Sequence, residues 1–386
     1  MMKVYLDHNA TTPLDPQVLE AMMPYLREEF GNASSIHQWG RRARAALEDS
    51  RVKIAALLGA DKDCVVFTGG GTEADNLAIK GVAWANQDKG RHIVTSTVEH
   101  HAVLHTCEFL AKQGFEITFL PVDGKGRLDP EDLRKAIRPD TILVTLMHAN
   151  NETGALFPLR EIGQIAKEKK VPFHTDAIQT FCKVPLNVEE DHVDLLSLSA
   201  HKIYGPKGVG ALYIRKGTKM VATLHGGSQE RKRRPGTENV AGAVGFSRAA
   251  ELLFADREKE GNRLSTLRDQ LQRGLMEKIP QVLLNGDPDH RLPGTLNMSF
   301  EFVEGESLIL SLDMEGIAVS SGSACTSGSL EPSHVLLAMG IPHEVCHGSL
   351  RFSLGRGTTK EQIDYVLEVL PRIVARLRAM SPLAQT

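Results

Sequence analysis

The sequence predicts an α/β fold with a central, mostly parallel sheet. Between residues 64 and 214, short apolar runs typical of strands alternate with stretches of helical periodicity. Five of these runs are followed by polar or glycine-rich clusters, as expected at the carboxyl ends of parallel strands, where ligands collect. With 386 residues, the chain is long enough for two domains, or for one large domain with an appendage.

Two helices are predicted before this region, over residues 16–30, with Asp15 as N-cap, and over residues 40–58. The second helix carries four arginines that we interpret as a solvated face: Arg41, Arg42, Arg44 and Arg51. Strands are predicted over residues 4–7, 64–68, 92–96, 116–120, 141–147, 171–176 and 193–199, with helices ending at residue 84 and spanning residues 162–169.

The carboxyl-terminal third is predicted to begin with helical residues 240–278. A shift in composition near Ala255 marks a domain boundary there. Further on, strands are predicted over residues 294–300, 317–319 and 349–353, and a helix over residues 306–315.

Charge and cysteine content narrow the classes of function. The net charge of −3 argues against nucleic acid or an anionic membrane as the main partner. No apolar run is long enough to span a membrane, and the amino terminus lacks the apolar core of a signal peptide. The five cysteines are odd in number and widely spaced, which is typical of free thiols. We therefore expect a cytoplasmic protein without a disulfide framework.

The stretch from Ser197 to Gly210 carries the strongest chemical signal. Lys202 follows a predicted strand, two serine hydroxyls and His201, and a glycine-rich turn comes after it. A lysine at the end of a buried strand is costly unless it is paired or used, and an amine of lowered pKa forms a Schiff base with a carbonyl. The alternative is a surface lysine in a turn.

Other clusters support weaker hypotheses. Gly71 and Thr72 begin a helix after a strand and a glycine turn, where free N–H groups can hold a phosphate; a plain tight turn is the alternative. His101 and His105 have the spacing of half a zinc site, but no third ligand is evident, so no metal is expected. The basic run at residues 231–234 indicates a solvated loop or a phosphate-facing site before it indicates nucleic acid.

The run from Ser320 to Ser329 is small and hydroxylic, so it predicts a loop that presents one thiol, Cys325. The other four cysteines lie in or beside apolar runs, where buried thiols without a chemical role are common. Arg351 lies in a predicted strand and suits the capture of a carboxylate, with a structural ion pair as the alternative.

Together these motifs resemble the cysteine desulfurases of the NifS/IscS type, in the class V family of pyridoxal-phosphate-dependent aminotransferases. The resemblance covers nearly the whole chain, and the Ser-Gly-Ser-Ala-Cys sequence is its most specific part. The motifs that carry it are residues 5–12, 68–76, 99–100, 150–154, 176–179, 199–208, 234–239 and 321–326.

The resemblance implies a pyridoxal-phosphate-dependent transferase type I fold. Its large cofactor-binding domain would span residues 15–255. A smaller α+β domain would comprise residues 1–14 and 256–386 and carry the Cys325 loop.

The resemblance also implies a role for each matching residue. Lys202 would hold pyridoxal 5′-phosphate as a Schiff base, Asp176 would pair with the ring nitrogen, Gln179 would donate to the ring hydroxyl oxygen, and His100 would stack on the ring and shuttle protons. Residues implied to hold the phosphate are Gly71, Thr72, Ser199 and His201, joined by Thr237 from the partner subunit of a homodimer. Residues implied to bind the substrate carboxylate are Asn151 and Arg351, with Asn9.

The implied reaction converts L-cysteine to L-alanine, with Cys325 taking the sulfur as a persulfide. The sulfur then passes to an acceptor protein such as an iron–sulfur scaffold, and a transient contact of Cys325 with a cluster is left open. Another class V enzyme, a selenocysteine lyase or an aminotransferase, is the first alternative. A non-catalytic scaffold or iron–sulfur carrier is the second, but the sequence has no close cysteine pair to ligate a cluster.

Overall fold

The computed structural model describes residues 2–321 and 332–380. Its strands are β1 (Val4–Tyr5), β2 (Val65–Thr68), β3 (His92–Ser96), β4 (Glu116–Leu120), β5 (Thr141–Thr145), β6 (Phe173–Asp176), β7 (Leu195–Ser199), β8 (Gly210–Ile214), β9 (Val282–Asn285), β10 (Thr295–Phe300), β11 (Ile317–Ala318) and β12 (Ser349–Ser353).

The helices are α1 (Pro16–Arg27), α2 (Gln38–Leu58), α3 (Gly71–Asn86), α4 (His101–Ala111), α5 (Pro130–Ala136), α6 (Leu159–Lys169), α7 (Gln229–Lys232), α8 (Val240–Ala255), α9 (Arg257–Lys278), α10 (Gly305–Met314), α11 (His334–Ala338), α12 (His343–His347) and α13 (Lys360–Met380). None of the helices in the described ranges combines the length and the apolar character that crossing a bilayer requires.

A seven-stranded sheet forms the centre of the fold, with strand order β2-β8-β7-β6-β5-β3-β4. Parallel pairing joins β3 to β4 and β5, β5 to β6, and β6 to β7. Strand β8 runs antiparallel to its neighbours β2 and β7. The prediction of an α/β fold with a mostly parallel sheet is therefore confirmed.

The sheet is buried on both faces because successive side chains of a strand point to opposite sides. Leu195 packs with α3 and α4 on one face, whereas Leu196 packs with α2, α6 and α8 on the other. Ile93 and Val94 divide between the same two faces. Apolar residues on both faces explain why these strands have continuous apolar sequences without polar alternation.

A second core lies around the antiparallel sheet β12-β10-β9 and the parallel pair of β1 with β11. It includes Val4 and Leu6 from the amino terminus and apolar side chains of α9, α10 and α13. This arrangement agrees with a small domain built from both chain ends. However, Val335, Leu336 and Cys346 pack in the core of the large sheet, so α11 and α12 join that core. The division at residues 14 and 255 stays a prediction.

The ends of several helices follow local sequence signals. The Asp15 carboxylate accepts from the Gln17 amide at 2.8 Å, which confirms Asp15 as the N-cap of α1. The helical stretch predicted over residues 240–278 is two helices, because α8 ends at Ala255 and α9 begins at Arg257. That break coincides with the predicted boundary near Ala255.

The interpretation of Arg51 as part of a solvated face is wrong. Its side chain is buried, and its guanidinium donates to both carboxylate oxygens of Glu230, at 2.6 and 2.7 Å. It also donates to the Val65 carbonyl, and Glu230 accepts from the Phe67 amide. This ion pair therefore ties α2 and the chain around α7 to strand β2.

Replacing Arg51 with methionine is expected to lower the free energy of unfolding by about 3–5 kcal/mol, because Glu230 keeps a buried charge without its partner. The matched control is Arg44→Met on the same helix, where an exposed arginine makes ion pairs of only 3.8 and 4.0 Å and the expected loss is below about 0.5 kcal/mol. Denaturant-unfolding midpoints of the two variants measure the difference, and equal losses would contradict the assignment.

Candidate active site

A cavity opens where the strands of the large sheet end. Eleven of the residues singled out in the sequence line it: Asn9, Gly71, Thr72, His100, Asn151, Asp176, Gln179, Ser199, His201, Lys202 and Arg351. Most of them follow the carboxyl ends of β2, β3, β5, β6 and β7, which lie together because these strands run in one direction.

One wall of the cavity is suited to an anion. Gly71 and Thr72 lie in the first turn of α3. The preceding residue, Gly70, has no side chain, so the free N–H groups of this turn have no side-chain cap. The hydroxyl of Ser199 is buried and has no hydrogen-bond partner among the described residues. A Cβ on Gly71 would lie 2.2 Å from Cδ1 of Ile178, so a side chain at this position would require the Ile178 side chain to move.

Lys202 extends from the end of β7 into the same cavity. Its amine donates to the backbone carbonyls of Asn9, at 2.5 Å, and Ala10, at 2.8 Å. The backbone of the preceding His201 also holds the amino-terminal segment, since its carbonyl accepts from both the amide and the hydroxyl of Thr12. Lys202 is therefore not a surface lysine in a turn, because two carbonyls hold its amine at the cavity wall.

Asp176 contributes a buried carboxyl group to the cavity that Lys202 also lines. It ends β6, and its Oδ1 accepts from the Ile178 amide at 2.9 Å. Burial raises its pKa to about 6, and the positive charge of Lys202 works against that rise. A buried carboxyl group of this kind is suited to a protonated nitrogen, which would favour its ionised form.

His100 occupies the N-cap position of α4, where its Nδ1 accepts from the Ala102 amide at 3.1 Å. Burial, followed by the charge of Lys202, lowers the pKa of His100 to about 4. The imidazole is therefore neutral at physiological pH. Because Nδ1 is an acceptor, the proton of the neutral ring lies on Nε2.

Arg351, on β12, is almost fully buried at the far side of the cavity. Its guanidinium donates to Oδ1 of Asp7 at 2.9 Å and to the Asn151 carbonyl at 3.1 Å. Asn9 also contacts the Asn151 carbonyl, and it donates to the hydroxyl of Thr295. Arg351 thus takes part in a structural ion pair and still lines the cavity, while its Nε has no partner in the described residues.

One predicted site residue within the described ranges does not line this cavity. Thr237 is exposed and lies between α7 and α8. Cys325 lies outside the described residues. The other cysteines, Cys64, Cys107, Cys182 and Cys346, are free and buried, as the sequence predicted.

The histidine spacings do not lead to a metal site. His101 and His105 have ring centroids 4.9 Å apart, and His334 packs on His101 at 4.8 Å. Within the described ranges, no group of three or more histidine, cysteine, aspartate or glutamate residues is arranged to hold a metal ion.

Three buried carboxyl groups around the site belong to the motifs of the resemblance, but the sequence analysis assigns them no role: Asp75, Glu99 and Glu152. All three have raised pKa values because they are buried, with Glu99 at about 8 and Glu152 at about 7. Glu99 accepts from the Ser96 hydroxyl and the Met147 amide, which joins the loops that follow β3 and β5. Their positions in the segments that follow strand ends are the sequence signal that could have identified them as site residues.

Comparison with known proteins agrees with this geometry. The family model described as Aminotransferase class-V matches residues 4–366. A protein of Dictyoglomus turgidum named cysteine desulfurase IscS is 58% identical over 383 residues, which cover 99% of this chain and 97% of that protein.

Solved structures show the same likeness. A structure titled as a NifS-like protein aligns with a TM-score of 0.92 and 39% identity, covering 97% of this chain and all of the other. A structure titled as SspA in complex with cysteine aligns with a TM-score of 0.82 and 37% identity, covering 91% of this chain and 99% of the other. These alignments confirm the expected fold.

Proposed function

The chain belongs to the class V aminotransferase family, and from this premise we propose that it is a pyridoxal-phosphate-dependent cysteine desulfurase. The observation that supports the proposal best is the meeting, in one cavity, of the Lys202 amine, the buried Asp176 carboxyl and an anion-binding helix start. The enzyme takes L-cysteine, releases L-alanine and passes the sulfur to an acceptor protein for iron–sulfur cluster assembly. The free thiols favour a reducing, cytoplasmic compartment.

The residues of the cavity fit pyridoxal phosphate. The phosphate would be held by the N–H groups at Gly71 and Thr72, by the unpartnered hydroxyl of Ser199 and by His201. Asp176 would face the ring nitrogen, Gln179 the ring hydroxyl oxygen, and Lys202 would form the covalent link. When bound, the cofactor withdraws electrons from the α-carbon of the attached amino acid.

The protein's own groups then hold and move the protons. With the cofactor bound, Asp176 would be ionised and would hold a proton on the ring nitrogen. Lys202 would accept the α-proton of the substrate on Nζ. His100 is neutral and lines the cavity together with Lys202, so the proton that it can pass on is the one on Nε2.

Arg351 gives the substrate its orientation. Its buried guanidinium is anchored by Asp7 and by the Asn151 carbonyl, so it presents a fixed positive charge to the substrate carboxylate. Asn9 and Asn151 complete this end of the cavity. Binding the carboxylate here directs the substrate side chain away from Arg351, where a thiol of the protein can reach the sulfur.

Cys325 takes the sulfur in the last step. Its thiolate attacks the sulfur of the substrate, the carbon–sulfur bond breaks, and a sulfur–sulfur bond forms. Protons return to the three-carbon fragment, which leaves as alanine, so that L-cysteine and one thiol give L-alanine and one persulfide. No external oxidant is needed, because the two electrons that the sulfur atoms lose in forming the sulfur–sulfur bond are taken up by the β-carbon, which becomes the methyl group of alanine.

A second copy of the chain completes the site in this proposal. Arg234 holds the segment with Thr237 to α3 through Glu73 at 2.8 Å, and Arg44 of α2 approaches Glu238 at 4.0 Å. Just before and within the first turn of α2, three apolar side chains are exposed: Phe30, Ile36 and Trp39, with Ile36 at 90%. Exposed apolar side chains, together with an exposed Thr237, fit a homodimer in which Thr237 reaches the partner's phosphate.

The test uses the purified full chain with pyridoxal phosphate. We expect a visible absorption band that changes when L-cysteine is added, alanine in an amount that follows the sulfur released, and a mass increase of one sulfur atom on the peptide with Cys325. A protein without the band, or one that moves the amino group of cysteine to a keto acid, would contradict the proposal.

A further inference from the structure

A second cavity lies behind Lys202, between the large sheet and the second core. It shares Asn9 and Lys202 with the active-site cavity. Its titratable and charged lining groups are His8, Cys182, Lys183, Tyr204, Arg257 and Glu260. Lys183 has no place in the reaction described above, although it lines this cavity together with Lys202.

The contacts of Lys183 lead directly to the active site. Its Nζ approaches Oε1 of Gln179 at 3.5 Å, the long end of hydrogen-bond distances, and the two residues lie four apart on successive turns. The other end of the same amide donates from Nε2 to the Asn9 carbonyl at 3.0 Å. That carbonyl also accepts from Lys202, so the two lysines are joined through Gln179 and Asn9.

The surroundings of Lys183 do not neutralise it. Glu260 lines the same cavity, but both of its carboxylate oxygens accept from Arg263. His8 has a lowered pKa because it is buried, and the nearby charge of Lys183 lowers it further. Burial, followed by the charge of Lys202, lowers the pKa of Lys183 to about 7. A cation in this setting is costly, which calls for an explanation beyond packing.

The chain is also held in an unfavourable conformation at this point. Cys182, the residue before Lys183, has a φ of 59°, in the left-handed region that non-glycine residues seldom adopt. The Lys183 amide nevertheless bonds to the Thr180 carbonyl at 2.9 Å, so the turn is closed and its direction fixed. Such conformations persist where the surrounding structure determines them, often near functional sites.

We propose that Lys183 is a positioning residue that acts through Gln179, holding the side-chain amide so that its N–H faces the ring hydroxyl oxygen of the cofactor. A lysine ammonium only donates, so it selects the orientation in which Oε1 faces it and Nε2 faces the active site. The inference rests on the proposed function, since the ring oxygen belongs to the bound cofactor. Lys183 also adds a positive charge behind Lys202, which disfavours protonation of the link formed there.

The experiment titrates the visible absorption of the bound cofactor against pH. In Lys183→Met the midpoint is expected to move upward by about 0.5 pH units or more, because both the oriented N–H and the positive charge are lost. Lys183→Arg keeps a charged donor and is expected to stay near the wild type. Lys167→Met, an exposed lysine on α6, is the matched control and is expected to leave the midpoint unchanged.

Thermal unfolding of the cofactor-free protein gives a second readout. Since the pKa of Lys183 falls from 10.5 to about 7 on folding, the folded state binds fewer protons than the unfolded state between these values. The stability of the wild type therefore falls as pH is lowered through this range, and the penalty is complete below about pH 7. Lys183→Met should unfold at an equal or higher temperature there, and this advantage should vanish as pH approaches 10.5.

The outcomes separate the possible roles. An unchanged absorption midpoint in Lys183→Met, with a lower unfolding temperature, would mean a merely structural role and would overturn the inference. If that variant does not fold, Lys183→Gln serves the same comparison. A wild-type protein without any visible band would instead overturn the proposed function, whereas a wild-type band with no shift in the variants would overturn only the role of Lys183.

Discussion

Replacing Lys202 with alanine is expected to abolish the covalent attachment of the cofactor and to slow alanine formation by about 10⁴-fold or more. The structure gives two reasons. Lys202 supplies the amine that lies in both cavities, and its Nζ is held by the carbonyls of Asn9 and Ala10 within reach of the substrate position. Alanine removes the covalent link and the base that takes the α-proton.

The matched control is Lys207→Ala, which removes an exposed lysine five residues further along the chain. That variant should keep the visible band and most of the turnover. Borohydride reduction followed by mass analysis should place the cofactor on the peptide containing residue 202 in the wild type and in the control. Cofactor found on another lysine, or full turnover by Lys202→Ala, would contradict the assignment.

The large sheet and its site could be predicted because the reactive side chains lie at the strand ends or just after them. In a parallel sheet the carboxyl ends of all strands meet at one edge, so residues far apart in sequence become neighbours. Asp176 is the last residue of its strand, Thr72, His100 and Lys202 each come three or four residues after a strand end, and all four line one cavity. The position of each residue relative to its strand is therefore enough to predict that these four side chains lie close together.

The sequence does not predict contacts between segments that do not meet at the carboxyl edge of the large sheet. The sequence of α2 alone predicts that Arg51 is exposed to solvent, because it shows an arginine among small and apolar residues. Its partner Glu230 is 179 positions away and reaches it through backbone in the left-handed region, at φ 43°. Nothing local in either segment indicates that pairing, and burial of the pair depends on how α2 packs on α8.

Arg351 shows the same difficulty in the site itself. The sequence left open whether it binds a carboxylate of the substrate or one of the protein, and the structure shows that the protein's Asp7 already occupies one side of the guanidinium. The contact depends on Asp7 pairing beside β12, where it bridges to Ser353. One arginine can serve both purposes, because its planar group has five donors in fixed directions.

The sequence signal for helix α13 is the helical spacing of its apolar residues. Its buried positions include Ile363, Val366, Leu370 and Ile373, which recur at the spacing of an amphipathic helix. This stripe packs with α9 and α10 and so completes the second core. Helical periodicity at the end of the chain was therefore enough to predict the element, although not its packing partner.

Replacing Cys325 with alanine is expected to lower alanine formation by at least about 1,000-fold while the visible band of the bound cofactor is retained. The proposal assigns the holding of the cofactor to residues that line the cavity and gives Cys325 no part in it. Loss of sulfur transfer with an intact band would therefore separate the nucleophile from the cofactor machinery.

The other cysteines cannot take over this step, because burial raises the pKa of each thiol and keeps it protonated. The matched control is Cys346→Ala: this thiol is buried, has a pKa of about 11 and donates to the Ile341 carbonyl. Removing it should leave turnover and the persulfide on Cys325 close to the wild type. Persulfide that persists on another cysteine of Cys325→Ala, with turnover intact, would show that the sulfur follows a route that does not need this loop.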